Sequence, residues 1–119
     1  MTEPKTYSGG CHCGNVRYSV TTDLGQLTTC NCSLCSKRGH VLSFVGPDKF
    51  ELEKGEDALA DYQFNTKKIH HLFCKTCGIE SFARGSDPRG NTMIAISVRC
   101  LDGVDLSGRE IPEFNGKAL

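Results

Sequence analysis

The stretch Gly9-Gly10-Cys11-His12-Cys13-Gly14-Asn15-Val16-Arg17-Tyr18-Ser19-Val20-Thr21 places two thiols on a turn and runs straight into a strand. From Asn15 onward apolar and polar residues alternate and β-branched residues are frequent, which is the period-two signature of a half-buried strand. In a C-x-C on extended chain both side chains lie on one face, so Cys11 and Cys13 can offer two sulfurs to one centre.

Working outward, six more short runs have strand character, at 39–45, 49–54, 61–65, 68–73, 80–84 and 92–98. Turn residues separate several of them, as in Gly46-Pro47-Asp48 and Gly55-Glu56-Asp57. Residues 33–38 suit one short helical turn, and 101–106 form a weaker helical candidate. Seven short strands with turns between them predict a mainly β fold, a single domain of short antiparallel strands arranged as a sandwich or distorted barrel. No repeat, linker or low-complexity tract divides the 119 residues, so one domain covers 1–119, with a core at about 9–107 and a loosely held polar tail at 108–119.

Composition narrows the function classes. Lys plus Arg number 14 against 14 Asp plus Glu, and no basic stripe is present, so nucleic acid is not expected as a partner. The short cluster Lys67-Lys68-Ile69-His70-His71 reads as a solvated face. The N-terminus carries no apolar signal segment and no run is long enough to span a bilayer, which predicts a cytoplasmic chain without a membrane partner. In that reducing compartment 8 cysteines mean metal or thiol chemistry before they mean disulfides. A small core without tryptophan also gains from an internal metal staple.

The cysteines fall into a C-x-C (Cys11, Cys13), a C-x-C-x-x-C (Cys30, Cys32, Cys35), a C-x-x-C-G (Cys74, Cys77) and the single Cys100. A C-x-x-C turn curls around an ion and fills two corners of a tetrahedron, and Gly78 after it permits the positive φ such a turn needs. Joining Cys11 and Cys13 to Cys74 and Cys77 makes a closed four-sulfur site with a structural role, tying the start of the domain to its middle. Cys30, Cys32 and Cys35 then remain as three ligands with an open fourth position, the arrangement of catalytic zinc. Other readings stay open: His40 as a fourth ligand closing that second site, a metal-free reactive thiol cluster, or a redox role for Cys74 and Cys77. Cys100 reads as a small buried hydrophobe, or else as a residue facing the second zinc. His12 is expected to point away from the metal, and His70 and His71 to lie on opposite faces of one strand.

The run from Gly9 to Tyr18, then Cys30-Asn31-Cys32-Ser33-Leu34-Cys35, then Phe73-Cys74-Lys75-Thr76-Cys77-Gly78 resembles the glutathione-dependent formaldehyde-activating enzyme family, to which the centromere-protein-V proteins also belong. The segment Val98-Arg99-Cys100-Leu101-Asp102 is similar to that family's end-of-domain pattern, so the resemblance spans about Gly9 to Asp102. It implies a zinc-bearing, mostly antiparallel β fold. It implies a structural zinc on Cys11, Cys13, Cys74 and Cys77 and a catalytic zinc on Cys30, Cys32 and Cys35. That makes two Zn2+ per chain, with partial occupancy of the second allowed. The implied activity joins a thiol, glutathione or one like it, to a small aldehyde such as formaldehyde; in reverse it is carbon–sulfur lysis. Two other classes compete: a non-catalytic zinc-scaffolded binding module, and a thiol-based redox or metal-storage protein.

Overall fold

Alternation along Arg17–Thr22 (β2) sends Tyr18, Val20 and Thr22 inward, and each is buried. The computed structural model describes residues 3–30, 33–63, 69–86 and 89–114, apart from the side chains of Ser33, Cys35, Ser36 and Phe114. Lys5–Gly10 (β1) pairs antiparallel with β2 along its whole length, from Lys5 opposite Thr22 to Gly10 opposite Arg17. Phe50–Lys54 (β5) closes the other edge of β2, giving a three-stranded sheet in the order β1-β2-β5.

A second, five-stranded antiparallel sheet contains Leu42–Val45 (β4), Leu59–Tyr62 (β6), His70–Cys74 (β7), Phe82–Ser86 (β8) and Thr92–Ser97 (β9). Its order is β4-β9-β8-β7-β6. The core lies between the sheets. Tyr18 packs on Phe50 with ring centroids 5.1 Å apart and meets Phe82 edge-on at 5.7 Å. Its hydroxyl donates to the Ser81 carbonyl at 2.9 Å, joining the two sheets with a buried hydrogen bond. Ile94, Ile96, Val16 and Val98 fill the space around these rings.

The mainly β, mostly antiparallel architecture is the one the sequence predicts. The helical turn also forms, as Ser33–Arg38 (α1), with Lys37 and Arg38 at the end where the helix dipole favours cations. Three expectations change. Residues 101–106 do not form a helix: Leu101 is buried in an isolated bridge to Gly9, and a turn follows. The strand expected at 92–98 ends at Ser97, and Val98–Cys100 form a 3-10 turn. The tail beyond Gly108 is tied down as far as Phe114: Glu113–Phe114 (β10) pairs in parallel with Thr29–Cys30 (β3), and the Pro112 carbonyl accepts from the Thr29 N–H at 2.9 Å. Among the described residues this is the exception to the antiparallel rule. Parts of the expected strands 61–65 and 68–73 lie outside the described residues, as do Lys67 and Lys68.

β1 is an element the sequence reading does not include. Gly9 explains how it fits. A Cβ there would meet the Cys100 carbonyl oxygen at 2.9 Å and the Tyr18 ring at 3.1 Å, so β1 lies flat on the end of the β9 segment only because position 9 has no side chain. That packing delivers Cys11, the next residue but one, to the foot of β7.

Candidate metal centre and adjoining cleft

Two backbone turns bring four cysteines together. Cys11 follows directly on β1, and its N–H bonds the Val16 carbonyl at 3.1 Å, closing the loop that carries Cys13. Cys74 ends β7. The Gly78 N–H bonds the Cys74 carbonyl at 2.8 Å, and the Cys74 N–H bonds the Ile79 carbonyl at 3.0 Å. Gly78 takes φ of 79°, a left-handed conformation that lets the chain leave the turn without steric cost. Asn15 Nδ2 donates to Thr76 Oγ1 at 3.3 Å and pins one turn to the other.

The four Sγ atoms lie within 4.8 Å of one another. Cys11 and Cys13 sulfurs are 3.7 Å apart, and Cys13 and Cys74 sulfurs 3.6 Å apart. Disulfide sulfurs would stand at about 2.05 Å. A tetrahedron with Zn–S bonds of about 2.3 Å places its sulfurs roughly 3.8 Å apart, which matches. Backbone donors complete the fit: Val16 N–H points to the Cys11 sulfur at 3.3 Å and Thr76 N–H to the Cys74 sulfur at 3.4 Å. Such donors stabilise thiolate, the form a metal takes.

Three of the four thiols are shifted by their surroundings. Burial raises Cys77, but the backbone donors of Cys13, Ile79 and His12 and the neighbouring Cys74 outweigh it and bring the thiol down to about 6. Backbone N–H groups, that of Cys77 foremost, also lower Cys74. Cys13 accepts from the Asn15 backbone, yet desolvation and its three neighbouring thiols push it up to about 11. Holding all four sulfurs as thiolates would crowd negative charge at one spot, which a bound cation would offset. The donor set, all soft sulfur in a closed shell, fits one zinc-like ion.

Beside this cluster opens a cleft of about 590 Å³. One wall is Cys11 and His12, another the exit of the Cys74–Cys77 turn at Gly78 to Glu80, a third the end of α1 at Arg38 to His40, and a fourth Arg99 to Asp102. His12 is exposed at this wall, while His70 and His71 lie on opposite faces of β7 as expected. His70 bonds Asp61 at 2.7 Å on the outer face. His71 is buried and its Nδ1 is 3.1 Å from Glu80 Oε2, so the lysine–histidine cluster is not wholly a solvated face. His40 is pushed down to about 4 by desolvation, with Arg38 and His71 adding repulsion, and is neutral at pH 7.

Cys100 is partly exposed rather than buried, because the 3-10 turn after β9 rotates it out of the strand's alternation and into the cleft wall. Burial still raises its thiol, and its electrostatic neighbours include Cys11 and Cys77. Of the remaining cysteine group, Cys30 ends β3 and is partly exposed, and Cys35 lies on α1, whose last residue Arg38 reaches the cleft. Cys32 and the side chain of Cys35 lie outside the described residues.

The sequence reading misses the role of Arg38, Glu80, Arg99 and the Arg17–Asp102 ion pair at this cleft. Strand alternation gives no signal for Glu80, because it precedes β8 and residues 80–83 are all buried.

A solved structure of a Rhodobacter sphaeroides protein is similar to this fold, with a TM-score of 0.79 and 29% sequence identity over 90% of this chain and 99% of that one. The family model described as glutathione-dependent formaldehyde-activating enzyme matches residues 6–113. With nearly the whole described fold inside that match, and the cysteine turns in its frame, the chain belongs to the glutathione-dependent formaldehyde-activating enzyme family.

Proposed function

We propose that the chain is a zinc-dependent carbon–sulfur lyase or synthase that joins a small thiol, glutathione or one like it, to a small aldehyde such as formaldehyde. Family membership supports chemistry related to glutathione and formaldehyde. The observation that carries the reading further is the cleft, which lies between the four-thiol cluster and the end of the helix bearing Cys35. In this proposal Cys11, Cys13, Cys74 and Cys77 hold a structural zinc, and Cys30, Cys32 and Cys35 hold a second one. A zinc held there would supply a Lewis acid that lowers the pKa of a substrate thiol.

The protein's own groups bind and orient. Arg99 gives the cleft a cationic wall that suits a thiol bearing a carboxylate, while the Arg38 charge is already paired with Glu80. His40 is neutral and weakly basic there, which fits it to hydrogen-bond an aldehyde or hydroxyl oxygen rather than to store a proton. In the addition, the thiol sulfur bonds the aldehyde carbon, and the proton leaving sulfur ends on the former carbonyl oxygen. Because this addition is easy without a catalyst, holding both partners in one cleft is the main contribution open to the protein.

Exchange spectroscopy with 13C-formaldehyde and glutathione at mildly acidic pH, where the uncatalysed step is slow, tests the reading. Faster exchange with the wild-type chain, and none beyond background with Cys35→Ser, is the expected result. Background exchange with the metal-loaded wild type rejects this substrate pair and leaves the non-catalytic module as the better reading.

A further inference from the structure

Among the described residues, Glu80 is the most deeply placed carboxylate, with its side chain 3% exposed, and it sits three residues after Cys77. One oxygen ion-pairs with Arg38, the last residue of α1. The other lies 3.1 Å from His71 Nδ1, three residues before Cys74. The Arg38 guanidinium also stands over the ring of Phe73, 5.9 Å from its centroid. One cation from α1 is therefore gripped by the two chain segments that flank the Cys74–Cys77 turn.

A helix of six residues has no stability of its own, so its position is set by what anchors it. A buried carboxylate resists losing its guanidinium partner, since that would strand a charge away from water. The Cys74–Cys77 turn is in turn shaped by its own hydrogen bonds and by the thiol cluster. We propose that Glu80 is a positioning residue that locks the end of α1 to the Cys74–Cys77 turn, so that the two cysteine groups share one frame and loosening the four-thiol cluster loosens α1. The significance of α1 as a carrier of the second zinc site rests on the function proposed above, whereas the lock itself does not.

Amide hydrogen exchange of the metal-loaded chain, read on peptides covering 34–41 and 70–80, separates the two. Cys13→Ser, which opens the four-thiol cluster and leaves Cys30, Cys32 and Cys35 untouched, is expected to speed exchange in both segments together. In Glu80→Gln with metal retained, exchange in 34–41 rises about tenfold or more while 70–80 stays protected, and adding Cys13→Ser changes 34–41 little further. Arg38→Met breaks the same contact from the partly exposed side and gives the same pattern should Glu80→Gln fail to fold. Unchanged exchange at 34–41 in a folded, metal-loaded variant of either kind overturns the proposal. A loosened α1 in a protein that never accelerates thiol–aldehyde exchange keeps the lock and removes the function; catalysis with an unresponsive α1 does the reverse.

Discussion

Removing metal from the four-thiol cluster should cost the fold a calculable amount. Cys13 and Cys74 stand 61 residues apart in sequence, with sulfurs 3.6 Å apart in space, so a metal joining them closes a long loop. The chain-entropy relation for a cross-link of that length gives about 4 kcal/mol at 25 °C. That is a large part of the roughly 5–15 kcal/mol that holds a domain folded. With a urea dependence of about 2 kcal/mol per molar, the unfolding midpoint should fall by about 2 M on chelation. The chain has no tryptophan, so unfolding is followed by far-UV circular dichroism and tyrosine fluorescence, in reductant, with and without chelator. Cys13→Ser should reproduce the loss, and Cys100→Ser, outside the cluster, should not. A midpoint that moves by less than about 0.5 M on chelation would refute the loop argument.

Three further outcomes are expected. His40 has a folded pKa of about 4, below the usual value of about 6.5, so the folded state prefers the neutral ring; its contribution is fully present above pH 6.5 and is lost as pH falls towards 4. Thermal unfolding at pH 7.5 and pH 5 should show that loss, and His40→Gln should reduce it. Tyr18→Phe removes a buried hydrogen bond, but the Ser81 carbonyl still accepts from the Ser97 N–H at 3.0 Å, so the cost should be only about 1 kcal/mol, or about 4 °C in Tm for a chain of this size. Gly9→Ala pushes a methyl group to 2.9 Å from the Cys100 carbonyl, and it should lower Tm more than Tyr18→Phe does, with β1 amides losing exchange protection first.

The parts of this molecule legible in its sequence are those fixed by local rules. C-x-C and C-x-x-C-G spacings are constraints on a few adjacent dihedrals, so Cys11, Cys13, Cys74 and Cys77 can be grouped without knowledge of the fold. Strands such as β2 and β9 announce themselves because one face is buried and the residues alternate. β1 stays hidden because its Gly9-Gly10 end and exposed polar residues reflect close approach and pairing to β2, not propensity. β10 is two residues long and exists only through its partner β3. Residues 101–106 show no clear period in the sequence, and they form a loop because Leu101 and Leu106 each anchor separately to the core. The Arg38–Glu80–His71 contact joins separate segments, and no one-dimensional pattern encodes it.

Zinc per chain in untagged protein purified without added metal, before and after mild chelation, tests the metal arrangement most directly. Two zinc ions, one resistant and one released, are the predicted result, with Cys13→Ser losing the resistant ion and Cys35→Ser the labile one. A chain that holds no zinc, and whose Cys11, Cys13, Cys74 and Cys77 react freely with an alkylating agent as isolated, would contradict it.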